Sequence, residues 1–181
     1  MTTSSSSYTS FVTTLVLCVI VATLTTPSTS NYLSDMCIKS KNPRFCLQVF
    51  GLNPHRRPYE LTQEAINLAL TNGSETTYKI HTFLDQTTDG NLTVIYNLCL
   101  NYYYSAIDVL QHTEEDYLKK GLYSNVEAVG QLVEKDALYC ENTFQKIPGY
   151  VPTLTKDNEN FGIFGSVIVS AVGLFSSNSS M

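Results

Sequence analysis

Five cysteines stand at positions 18, 37, 46, 99 and 140, and their placement limits the folds open to this chain more than any other feature. Cys18 belongs to a different kind of sequence from the rest. Residues 1–30 contain no Lys, Arg, Asp or Glu and run apolar from Phe11 to Ala22 after a Ser/Thr-rich start. That run has the length of a signal-peptide core, and it is too short and too diluted by Thr for a membrane span. Ser28 and Ser30 are small residues suited to the −3 and −1 positions of a cleavage site. Residues 1–30 therefore read as a signal peptide and 31–181 as one mature domain beginning at or near Asn31. A domain of about 150 residues can bury a substantial core.

Removing Cys18 leaves four cysteines in an oxidising compartment, which read as two disulfides. Asn42-Pro43 lies midway between Cys37 and Cys46 and breaks any helix there, so two short helical arms fold back and bring the sulfurs together. Gly121, after Lys119-Lys120, is expected to end a helix as its C-cap glycine. Cys99 lies 22 residues before it and Cys140 lies 19 after it. At the helical rise those are distances of about 33 and 28 Å along two antiparallel helices, which puts the two cysteines at nearly one height. A Cys99–Cys140 bridge follows, and closing a loop of about 40 residues contributes roughly 4 kcal/mol on the chain-entropy account. Zinc is the rival use of four cysteines, but no CxxC pair is present and no metal is expected.

The mature sequence reads as helix, with apolar residues recurring at three- and four-residue steps. One stripe is Ile66, Leu70, Gly73, Thr77, Ile80 and Leu84, ended by Asp89-Gly90. A second is Leu92, Ile95, Cys99, Tyr102, Ala106 and Val109, with Tyr103 and Tyr104 read as boundary residues. A third is Val126, Val129, Val133, Ala137, Cys140 and Phe144, stopped by Pro148-Gly149. A fourth is Phe161, Phe164, Ile168, Ala171 and Phe175. Four amphipathic segments with short connections make an all-α, up-down-up-down four-helix bundle, with the Cys37–Cys46 α-hairpin as an N-terminal extension. The apolar run from Gly162 to Phe175 is too short to span a membrane and ends in a polar tail.

Catalytic signatures are missing: there is no GxSxG, HExxH, P-loop or dinucleotide fingerprint. His55, His81 and His112 lie in separate segments without ligand spacing. Glu114-Glu115-Asp116 are adjacent on a helix and point in different directions, as a solvated face does. No enzyme and no cofactor is expected. The net charge of −5 argues against nucleic acid as a partner. Between Asn31 and Pro58, however, five basic residues face only Asp35. Three glycosylation acceptor patterns begin at Asn72, Asn91 and Asn178, with Asn91 at a helix start the best exposed.

The segment Cys37-Ile38-Lys39-Ser40-Lys41-Asn42-Pro43-Arg44-Phe45-Cys46 resembles the opening signature of the plant invertase/pectin methylesterase inhibitors. Leu98-Cys99 followed by Tyr103, Ala106, Asp108 and Leu110 is similar to the second bundle helix of that family. Lys120-Gly121-Leu122-Tyr123 with Val126, then Asp136-Ala137-Leu138-Tyr139-Cys140-Glu141, is similar to the third. Leu154-Thr155-Lys156-Asp157-Asn158 resembles the start of the last, in the form seen in pollen-type members, and the likeness runs from Asn31 to Phe175. The resemblance implies a secreted apoplastic or vacuolar inhibitor without catalysis of its own. Its partner would be a cell-wall or vacuolar invertase, or a pectin methylesterase, bound one to one over the substrate cleft and free of any membrane.

Overall likeness leans to the invertase branch. The turn implied to touch an invertase comprises Lys119, Lys120, Gly121, Leu122, Tyr123, Ser124 and Asn125. Invertase inhibitors carry Pro-Lys-Phe where this chain has Tyr123-Ser124-Asn125. A secreted bundle without inhibitory activity, a ligand carrier or pollen-coat protein, is the competing class; it needs an internal cavity, whereas an inhibitor needs an exposed contact face.

Purified without reductant and denatured, the mature protein is expected to begin at or near Asn31 and to titrate no free thiol. Two or more thiols would contradict the disulfide framework.

Overall fold

The computed structural model describes residues 31–51, 53, 56–146 and 153–177. Residues 1–30, read above as a signal peptide, together with His55, Pro148-Gly149 and Asn178, lie outside the described residues. Those described form six α-helices and no strand. The first two make the hairpin: α1 (Tyr32–Lys39) and α2 (Pro43–Phe50). Pro43 occupies the first turn of α2, where its missing N–H is not needed, and the Asn42 side chain accepts from Phe45 N–H at 3.1 Å. Ser40 ends α1, with its N–H on the Cys37 carbonyl at 3.2 Å, and Asn42-Pro43 starts α2. The Cys37–Cys46 bridge closes the arms at a Cα–Cα distance of 5.4 Å.

Four long helices follow: α3 (Pro58–Gln86), α4 (Gly90–Thr113), α5 (Tyr123–Phe144) and α6 (Thr155–Ser177). Asp89 caps α4 by accepting from the N–H groups of Asn91 at 2.8 Å and Leu92 at 3.3 Å. Between α4 and α5 the chain widens into a π-helical turn, Glu114–Leu118, closed by Lys119 N–H onto the Glu114 carbonyl at 2.9 Å. Gly121 then takes a φ of +70°. Its N–H reaches the Leu118 carbonyl at 3.1 Å and the N–H of Leu122 reaches Tyr117 at 2.9 Å, the paired bonds of a Schellman stop. Returning from this turn, α5 brings Cys140 to Cys99 with Cα atoms 4.7 Å apart.

The third stripe is buried at every position from Val126 to Phe144. The second is rotated from its expected place. Tyr96, Cys99, Leu100, Tyr103, Ala106 and Leu110 face the core, while Leu92, Ile95, Tyr102 and Val109 are half-buried. Tyr103, read as a boundary residue, is fully buried because its hydroxyl has a partner inside, donating to Asn158 Oδ1 at 2.9 Å. Asn158 Nδ2 in turn donates to Glu141 Oε2 at 2.8 Å, which ties α4, α6 and α5 together. Burial pushes the Tyr103 phenol well above its ordinary value.

Helix α6 is the hub. It packs against α5, α3 and α1. Against α5 the approach is set by glycines: a Cβ on Gly165 would meet the Gly130 carbonyl oxygen at 2.6 Å, and one on Gly130 would meet that of Gly165 at 2.8 Å. On the other side, Phe161 covers Gly73 of α3, where a Cβ would meet its ring at 3.0 Å, and stacks on Tyr103 with centroids 4.7 Å apart. The hairpin, expected as an extension, is part of the core. Leu33, Met36, Cys37, Cys46 and Phe50 are buried, Lys41 N–H donates to Ser166 Oγ at 3.1 Å, and Phe45 meets Phe164 edge-on at 5.5 Å. The span Thr155–Ser176 is long and apolar enough to cross a membrane by length and composition, more than the shorter run suggested, but most of its apolar part is buried inside the protein. Its apolar character serves the bundle interior.

Replacing Gly165 by Ala is expected to cost about 1–3 kcal/mol, because backbone on both sides would have to shift. Gly90→Ala, with nothing within 4 Å, should be near neutral in the same denaturant titration. A loss no larger for Gly165 would refute the tight α5–α6 contact.

Asp136 of α5 is buried, and its Oδ2 has no hydrogen-bond partner among the described residues. Burial raises its pKa, against a smaller lowering by Lys135. The folded state thus favours the protonated acid. That contribution is full below the ordinary carboxylate value of 3.8 and is lost as pH rises through the raised value. Asp136→Asn should flatten this part of the stability–pH curve, and parallel curves for the two proteins would contradict the assignment.

Candidate docking surface

The turn between α4 and α5 was the first candidate contact. Leu122, Ser124 and Asn125 are exposed there, with Ser124 and Asn125 joined side chain to side chain at 3.4 Å. Tyr123 is half-buried and stacks on Phe175 with centroids 4.1 Å apart. The two lysines are already engaged. Lys119 pairs with Glu115 and lies 3.6 Å from Glu114, and Lys120 lies 3.2 Å from Asp116. The Glu115 hydrogen bond holds the Lys119 ammonium above its ordinary pKa. Three carboxylates thus surround two ammonium groups, and the turn presents no excess of positive charge. Beside it, Val109, Tyr117, Ser124, Asn125, Val129 and Leu132 border a groove of about 370 Å³.

A second surface lies toward the other end of α4. Three consecutive tyrosines on a helix leave its axis about 100° apart, so they serve three neighbours. Tyr103 goes inward; Tyr102 leans on α5, where its ring meets Tyr139 at 5.5 Å; and Tyr104 leans on α3, where its hydroxyl meets His81 Nε2 at 2.6 Å. Along the outer face of the same helix, Val94 is 59% exposed and Leu98 40%. Tyr78 on α3, at 78%, and Leu138 and Tyr139 on α5 are exposed as well. Lys135 Nζ sits 5.8 Å from the Tyr139 ring centre. The sequence pattern gives the tyrosine triplet one stripe position with two boundary neighbours, and does not mark Val94 or Leu98 as surface residues. Their four-residue spacing on the solvent side of a helix was the available signal.

Of the expected site residues, all four cysteines are paired as read from the sequence. Asn91 is exposed in the first turn of α4, whereas Asn72 lies half-buried in the middle of α3. His81 and His112 stay apart on different helices, and among the described residues no three His, Cys, Asp or Glu side chains converge as a metal site would require. The arrangement offers contact area and hydrogen-bonding phenols.

Known proteins share both the sequence pattern and the fold. The family described as plant invertase/pectin methylesterase inhibitor matches residues 31–169. A pectinesterase inhibitor of Actinidia deliciosa is 28% identical over 127 residues, 68% of each chain. A protein of Platanus acerifolia named as a candidate invertase inhibitor is 26% identical over 123 residues, covering 66% of this chain and 68% of its own. Among solved structures, a mutant form of a pectin methylesterase inhibitor from Arabidopsis superposes with a TM-score of 0.71 at 18% identity, over 80% of this chain and 97% of that one. With the family model matching residues 31–169, which is more than half of its length, the chain belongs to the plant invertase/pectin methylesterase inhibitor family.

Proposed function

We propose that this protein is a secreted, non-catalytic inhibitor of pectin methylesterase, whose one-to-one complex rests on the outer face of α4 and its flanks on α3 and α5. Residues 1–30 act as the leader, and 31–181 as the inhibitor domain of the cell wall. The observation that carries the reading is the run of exposed apolar and aromatic side chains at Val94, Leu98, Tyr104 and Tyr139. Aromatic anchors with apolar neighbours, on a rigid helical scaffold, are what a protein interface concentrates at its centre. The bundle behind them is filled by Phe50, Tyr103, Phe144 and Phe161, which favours an inhibitor over a carrier.

The turn argues against the invertase target that overall likeness first favoured. It lacks the Pro-Lys-Phe stretch, and Lys119 and Lys120 could reach a partner's carboxylates only by leaving their own. Position 123 is the first residue of α5, where Pro is tolerated. The two targets can therefore be separated by mutation. At the acidic pH of the cell wall, the natural sequence is expected to inhibit a plant pectin methylesterase and to act weakly or not at all on an acid invertase. Leu98→Glu should weaken the former at least about tenfold, or about 1.4 kcal/mol, with unchanged melting temperature. Replacing Tyr123-Ser124-Asn125 by Pro-Lys-Phe should confer invertase inhibition and leave the other target alone. Tight invertase inhibition by the natural sequence, indifferent to this turn and to both lysines, would refute the reading.

A further inference from the structure

We infer that Asn91 carries an N-linked glycan at the head of the α4 docking face, formed when its Nδ2 loses a proton and bonds to C1 of a pyrophosphate-linked oligosaccharide donor whose lipid pyrophosphate departs; that the fold keeps Asn72 bare; and that this glycan bars partners from the α3–α4 end of the face. The last part rests on the docking face proposed above.

Both sites satisfy the acceptor pattern, Asn91-Leu92-Thr93 and Asn72-Gly73-Ser74, so sequence alone does not separate them. The structure does. Asn91 is exposed in the first turn of α4, and the preceding Gly90 has open space for at least 4 Å where a side chain would begin. Its backbone N–H is held by Asp89, and the Thr93 hydroxyl donates to the Asp89 carbonyl at 3.0 Å. The acceptor segment is thereby fixed by backbone and hydroxyl contacts that leave the Asn91 amide outside them.

Asn72 has the opposite setting. It sits in the middle of a 29-residue helix, and its Oδ1 is buried without a hydrogen-bond partner among the described residues. The adjoining Gly73 is where Phe161 of α6 packs most closely, with Ile107 of α4 3.2 Å from a Cβ placed there. A sugar on Asn72 would have to leave from the middle of this helix, beside its closest packing against α6, and would displace a side chain whose amide oxygen is buried.

Position decides what the Asn91 glycan does. Residues 91, 94 and 98 fall on one face of a helix, so the sugar stands about 4.5 Å along the axis before Val94 and about 10 Å before Leu98. A branched, hydrated oligosaccharide there closes the end of the apolar stripe. A partner must then approach from the α5 side or from the middle of α4.

The test is the full-length chain secreted from plant cells, with Asn178→Gln throughout so that the third acceptor contributes nothing. Glycopeptide mass spectrometry should find sugar on Asn91 and none on Asn72. Asn91→Gln and Thr93→Val should abolish it, Thr93→Ser should restore it, and Asn72→Gln should leave it unchanged. Association with pectin methylesterase should be about three- to tenfold faster for glycan-free protein, made by mutation or by enzymatic deglycosylation, with dissociation unaltered. Sugar on Asn72, a bare Asn91, or equal association of the two forms would overturn the inference. Failure of both forms to bind pectin methylesterase would instead refute the docking reading, while the mass measurement still decides the glycan site.

Discussion

The contact between the backbones of α5 and α6 at Gly130 and Gly165 is the constraint on which the remaining packing depends. Each carbonyl occupies the space where the other residue's Cβ would stand, so the two helices are separated by backbone alone. That spacing brings α6 far enough into the bundle to meet three other elements. Phe161 reaches across to Gly73 and Tyr103, Asn158 receives the Tyr103 hydroxyl, and Ser166 receives the hairpin at Lys41. Burial of Phe161 alone contributes about 2–3 kcal/mol. Widening the α5–α6 gap would loosen all of these contacts together, since side chains in a close-packed interior have little room to follow.

Much of this was legible before the structure. The cysteines worked as a ruler because helices have a fixed rise, and Gly121 marked the turn because an abrupt helix stop of this kind requires a positive φ. The third stripe is legible since Val126, Val129, Val133 and Ala137 recur at three- and four-residue steps, with Glu127, Gln131, Glu134 and Lys135 between them. The second is not. In Tyr102-Tyr103-Tyr104 every residue is equally apolar, and hydropathy cannot choose the inward one; a partner 55 residues away, Asn158, does. Gly130 and Gly165 were passed over because a glycine's role lies in what approaches it. Nothing in Cys37 to Cys46 says that the hairpin will settle on a helix more than a hundred residues later. The π turn at Glu114–Leu118 has no compositional mark at all.

The candidate surface was less legible than the fold, for a related reason. Local sequence exposes charge, and the pairs Lys119–Glu115 and Lys120–Asp116 cancel much of what the turn seemed to offer. Such exposed pairs add little stability, but they do hold the ammonium groups close to their own carboxylates. The α4 face, in contrast, is assembled from three helices. Tyr78, Leu98 and Tyr139 have no visible relation in the sequence, and only the bundle packs both α3 and α5 against α4. Recognition built this way depends on rigid secondary structure, and its geometry survives changes in the loops.

The docking of the hairpin on α6 also bears on the order of events at the ribosome. Lys41 and Ser166 are 125 residues apart, so at ordinary translation speeds the hairpin waits about 6–25 s for its partner helix to be made. During that interval Leu33, Met36 and Phe50, all buried in the finished protein, have no bundle to cover them. The Cys37–Cys46 loop needs only ten residues to close, and the second disulfide cannot form until Cys140 has emerged. The small loop is therefore suited to holding this early segment of the domain in its final local shape until α6 arrives.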